Sequence, residues 1–88
     1  MDRVERIEQS LREALRPESI EISDQSRMHA GHEGAKGGGG HFDLIIVSER
    51  FAGLDQLARH RLVYDSLRGL MGTEIHALSI AAYTPDEL

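Results

Sequence analysis

The sequence predicts an α/β domain of order α-β-β-α-β: a three-stranded mixed sheet carrying its helices on one face. Three observations lead there. Apolar residues recur with helical period in 3–15 and again in 55–70. Three short apolar runs, at 20–24, 41–48 and 75–82, have strand character. The second helix lies between two of those runs, and a strand–helix–strand unit of this length implies a right-handed crossover and a parallel pair. A length of 88 residues accommodates one domain, taken as 1–88, with one small core.

In the first helix, Val4, Ile7, Leu11 and Leu15 recur at spacings of three or four, with Ala14 beside them. Asp2 is placed to cap its start, and Pro17 stops it because the residue before a proline is pushed out of the α region. Its face lacks the bulk and positive charge of a membrane-surface helix, so it is a core face. Ile20-Glu21-Ile22-Ser23-Asp24 alternates as a short strand. Residues 25–40 lose all periodicity and end in Gly37-Gly38-Gly39-Gly40, which reads as a mobile loop. Long structureless loops in small domains are functional or disordered.

His41 to Ser48 is the strongest strand pattern, nearly all apolar at its end, as suits a central strand. It forms a hairpin with the strand before it. Phe51-Ala52-Gly53 is a turn. The second helix runs from Asp55 to about Leu70, with Leu57, Tyr64, Leu67 and Met71 as its stripe, widened by Ala58, Leu62 and Val63. Gly72 is expected as its C-cap. Ile75 to Ala82 is the third strand, and Thr84-Pro85-Asp86-Glu87 has the form of a helix start.

Composition narrows function. The chain has no cysteine, so it offers no thiolate to a metal or cluster, no cysteine nucleophile and no disulfide. A formal net charge of -5 argues against nucleic-acid binding through bulk electrostatics. No apolar run reaches signal-peptide or membrane-span length, which points to a cytoplasmic protein without membrane association. There is no phosphate-binding loop and no Gly-x-Ser-x-Gly elbow, and the carboxylates are scattered on helix faces. The expectation is a non-enzymatic domain that works by binding.

Two groups of residues are candidates for that binding. His29 and His32 have a His-x-x-His spacing and His41 follows at the loop's end; loop imidazoles can converge on an ion. Two ligands fall short of the four a stable site needs. His76, between Ile75 and Ala77, is either a hydrogen-bonded structural residue or a ligand, and lone metal binding by His29, His32 and His76 is one reading. The second group is Arg59, His60, Arg61 and Arg68 on the second helix. Between Arg50 and Met71 four arginines face two acids, so this stretch is either a solvated helix face or a phosphate-contacting stripe. No stacking platform accompanies it, since the aromatics are Phe42, Phe51, Tyr64 and Tyr83.

The series His41-Phe42, Val47-Ser48, Phe51-x-Gly53, Arg59-His60-Arg61-Leu62-Val63-Tyr64, Ile75-His76-Ala77-Leu78-Ser79-Ile80 and Thr84-Pro85 strongly resembles the BolA family. The resemblance spans essentially the whole chain and implies a fold like the type II KH domain. The glycines of the loop lie between strands, whereas a KH domain's nucleic-acid-gripping Gly-x-x-Gly loop lies between helices, so that role is not transferred.

The family's known activities are pairing with monothiol glutaredoxins, with or without a shared [2Fe-2S] cluster, and DNA-binding transcriptional regulation in some bacterial members. What the resemblance implies here is His76 as one cluster ligand and a loop histidine as the other, His29 by its distance from the first strand, with His32 as an added candidate. His41 is read as structural, at the start of its strand. A chain without cysteine offers iron only imidazoles, so the thiolates come from the glutaredoxin and glutathione. Histidine ligation raises a cluster's potential and makes the site pH-sensitive, because the imidazole must be neutral. Alone, the chain is expected as a monomer or weak homodimer.

Overall fold

The structure is a computed structural model in which residues 2–26 and 39–88 are described. Helix α1 spans Arg3–Leu15, strand β1 Ser19–Asp24, strand β2 Gly40–Val47, helix α2 Gln56–Ser66 and strand β3 Ile75–Tyr83. Single 3-10 turns cover Glu49–Phe51 and Pro85–Glu87. No helix among the described residues is long and apolar enough to cross a membrane.

Helix α1 has the bounds its sequence predicts. The Asp2 carboxylate accepts the Glu5 N–H at 2.9 Å, which satisfies one of the free donors of the first turn. The helix ends at Arg16, in the left-handed region with φ 44°, just ahead of Pro17. Ile7, Leu11 and Leu15 are fully buried against the sheet.

The sheet order is β1-β2-β3. β1 runs antiparallel to β2, with Ser19 opposite Val47 and Asp24 opposite Phe42. β3 runs parallel to β2 on its other side. Phe42, Leu44 and Ile46 point into the core, while Asp43 and Ile45 between them are exposed. This alternation is what a central strand covered by helices on one face requires. The two-helix, three-strand mixed sheet is the architecture expected from the sequence.

Helix α2 departs from expectation in two ways. It stops at Ser66 with Leu67 as its C-cap, and Gly72, with φ 86°, lies further on in the turns that lead to β3. The core stripe is also different. The helix and its C-cap bury Val63 and Leu67, as the sequence predicts, but the third buried position at this four-residue spacing is Arg59, and Leu57 is 60% exposed. Tyr64 is exposed as well. An apolar count along the helix picks the stripe through Leu57 and Tyr64, but an arginine can occupy a core-facing position when its donors are satisfied. Arg59 meets that condition. Its Nε donates to Leu54 O at 2.9 Å and its Nη1 to Ala82 O at 3.0 Å. The Glu87 carboxylate takes both terminal nitrogens, at 2.6 and 3.0 Å.

A second buried polar residue joins α1 to the sheet. Ser48 directly follows β2 and is fully buried. Its hydroxyl donates to Leu15 O at 2.7 Å and accepts the Arg50 N–H at 3.1 Å. Its own N–H donates to Tyr83 O at 2.9 Å. One serine therefore ties the end of α1, the end of β2 and the end of β3 together.

Candidate functional site

The parallel pairing of β2 and β3 contains one irregularity, and His76 sits in it. Gly40 pairs with Ile75, and His41 then pairs with Ala77, so β3 advances two residues while β2 advances one. His76 is the extra residue of a β-bulge. Its effect is visible in the burial of β3: Ile75 is in the core, His76 and Ala77 are both exposed, and the inward positions resume at Leu78. Bulges break the strict alternation of a strand and re-aim a side chain, here the imidazole of His76.

The backbone around the bulge is closely packed. A Cβ built on Gly39 would lie 2.7 Å from His76 N and 2.8 Å from its Cβ. A Cβ on Gly40 would lie 2.8 Å from the Phe42 ring and from Ser26 Oγ. The last two glycines of the run are therefore required by close approach, which lets the entry to β2 lie against His76. Glu74 fixes the other approach. Its carboxylate receives Arg3 Nε at 3.1 Å and Arg6 Nη1 at 2.9 Å, and its carbonyl accepts the Gly40 N–H at 3.1 Å.

His41 completes the site. Its N–H donates to Ser26 Oγ at 3.2 Å, and its carbonyl accepts the Gln25 N–H at 2.7 Å. Its ring lies 5.1 Å from the His76 ring, centroid to centroid, at a tilt of 47°. A hollow of about 350 Å³ adjoins His41, lined also by Gln25, Phe42, Asp43, Ala77, Leu78 and Ser79. Among the described residues, no three histidine or carboxylate side chains gather as a metal-binding group.

The sequence-predicted residues fare differently. His76 is exposed at the bulge. His29 and His32 lie outside the described residues. Arg59, His60, Arg61 and Arg68 do not share one surface: Arg59 is buried in the ion pair with Glu87, and His60 is half-buried. Arg61 and Arg68 are exposed, with Arg68 3.0 Å from Asp65. His41, read from sequence as structural, is the residue the fold adds to the site. The signal was present in the topology. Parallel strands of a right-handed unit start at the same end, so His41 and His76, each near the start of its strand, are neighbours.

Arg59 and Glu87 are electrostatically coupled. Hydrogen bonding from Arg59, aided by the Thr84 N–H at 2.7 Å, holds the Glu87 carboxyl down at about 2. The same bond with Glu87 raises the Arg59 guanidinium further above its ordinary value.

The fold and the site define a small α+β domain that presents an imidazole on a bulge between two parallel strands. The family model for BolA-like proteins matches residues 11–87. The chain is 44% identical over 98% of its length to Protein BOLA1, chloroplastic, of Arabidopsis thaliana, and spans about half, 56%, of that protein. It is 40% identical over 94% of its length to the DNA-binding transcriptional regulator BolA of Escherichia coli, covering 76% of it. The BolA domain of SufE1 from Arabidopsis thaliana has the same fold, with a TM-score of 0.86 and 42% identity over the whole of this chain and 98% of that one. This chain belongs to the BolA family.

Proposed function

We propose that the chain is a non-enzymatic BolA-like adaptor that pairs with a monothiol glutaredoxin to bind and transfer a [2Fe-2S] cluster in iron homeostasis. The observation that carries this reading is the exposed His76 imidazole, lifted out of the β3 ladder by a bulge and packed on the ring of His41. A [2Fe-2S] cluster takes four ligands. The cysteine-free chain contributes imidazoles, and the partner's cysteine and glutathione contribute thiolates. The donor set fits a shared cluster and not one held by this chain alone. When bound, the cluster supplies one-electron redox capacity and transferable iron and sulfide.

His29 is the favoured second ligand. It is three residues beyond Ser26, and three residues of chain span at most about 11 Å. Ser26 itself holds the backbone of His41. His32 lies six residues beyond Ser26 in sequence. Cytoplasmic location belongs to the same proposal.

The test is reconstitution. Mixing the protein with a monothiol glutaredoxin, glutathione, iron and sulfide is expected to give a coloured heterodimer, and His76→Ala to alter its visible circular dichroism. An unchanged spectrum removes His76 as a ligand.

A second reading is DNA-binding regulation, favoured by the name of the Escherichia coli relative. Of the Arg59–Arg68 stretch, the exposed Arg61 and Arg68 are available to phosphates. This reading requires specific, salt-dependent DNA affinity that falls in Arg61→Ala/Arg68→Ala. Affinity that survives both substitutions excludes that face.

A further inference from the structure

We infer that His41 is a positioning residue for His76: its ring, packed on the imidazole at the bulge, holds that imidazole in one orientation. The inference rests on the proposed ligand role of His76 and deepens it. A bulge residue has no strand partner opposite it, so the ladder orders its side chain less than it orders its neighbours. An exposed imidazole then samples several rotamers, and fixing it at the moment of binding costs conformational entropy. Ligand residues are accordingly held by surrounding groups, and removing such support commonly weakens metal affinity by about 10–100-fold.

The described structure supplies that support from His41. Its ring lies against that of His76, at 5.1 Å and a tilt of 47°. His41 is itself held on both sides of its backbone, through Ser26 Oγ at 3.2 Å and the Gln25 N–H at 2.7 Å. On the next residues back, Gly39 and Gly40 allow the close approach that brings the two strand starts together. The half-buried His41 thus serves as a fixed wall, and the exposed His76 as the group presented.

The experiment compares His41→Ala, which removes the ring, with His41→Phe, which keeps a ring of similar breadth, both in the full chain. The first readout is the order of the His76 side chain in the free protein, from NMR couplings and ring-carbon relaxation, with folding checked by the amide spectrum. The second is the rate of cluster loss from the glutaredoxin complex. His41→Ala is expected to average the His76 rotamer and to speed cluster loss about tenfold; His41→Phe is expected to preserve the order. A folded His41→Ala variant in which His76 stays as ordered as in the parent overturns the inference, and so does a folded His41→Phe variant that loses that order. The free-protein readout is independent of the cluster. A failed ligand role, seen as an unchanged spectrum in His76→Ala, is therefore distinguishable from a failed positioning role.

Discussion

The guanidinium of Arg59 and the carboxylate of Glu87, 28 residues apart, meet through two hydrogen bonds of 2.6 and 3.0 Å. The pair does more than join α2 to the end of the chain. Arg59 Nη1 also binds Ala82 O, so one side chain links α2, β3 and the 3-10 turn Pro85–Glu87. The guanidinium is planar with five donors in a fixed fork, which suits one residue to all these acceptors at once.

Arg59→Met should lower the melting temperature clearly, because it removes the donor that Ala82 O and Leu54 O accept from and leaves the Glu87 carboxylate with the Thr84 N–H alone. Arg68→Ala should leave melting unchanged, since the Arg68–Asp65 pair is 82% and 65% exposed at its side chains. Thermal denaturation of the two variants beside the parent checks the ranking. Equal melting temperatures for both would show that the Arg59–Glu87 pair, whose arginine alone is buried, carries no more stability than the surface one.

The same pair sets an acid limb. Glu87 titrates at about 2 in the folded chain against an ordinary value of 4.5. A carboxyl depressed on folding contributes stability that is fully present above its ordinary value and is lost as the pH falls through the folded one. Stability to urea should therefore decline between about pH 4.5 and 2 in the parent. In Glu87→Gln the starting stability should be lower and the decline in that window shallower.

Ser48→Ala should destabilise by about 1–3 kcal/mol, the cost of leaving buried partners unsatisfied. The Leu15 carbonyl and the Arg50 N–H would both lose the hydroxyl. Chemical denaturation measures the difference directly, and a loss below a few tenths of a kcal/mol would mean the site admits water.

Gly39→Ala and Gly69→Ala separate two kinds of glycine. At Gly39 the added methyl meets His76 backbone at 2.7 Å, whereas at Gly69 nothing lies within 4 Å. Gly39→Ala should move the His41, His76 and Ala77 amide resonances and lower stability. Gly69→Ala should leave that region of the spectrum unchanged.

Much of the fold was legible because local signals agreed with one another. Asp2, the Val4-Ile7-Leu11-Leu15 series and Pro17 bounded α1 at both ends, and the β2 pattern marked a central strand. What misled was also local. On α2 the apolar count favoured the stripe through Leu57 and Tyr64, because an arginine scores as surface until its acceptors are known. Those acceptors are Leu54 O, Ala82 O and Glu87, and two of the three come from residues far along the chain.

The site divides in the same way. The sequence by itself determined that this chain offers imidazoles and no thiolates, that His76 stands in a strand, and that its motifs are those of the BolA family. Only the tertiary structure decided that His76 leaves the ladder at a bulge and that His41 is its neighbour. It also decided that the Arg59 side chain is buried and bound to Glu87. Periodicity records which side of an element is apolar. Register, bulges and ion-pair partners are set by how distant elements pack, and no local pattern carries that information.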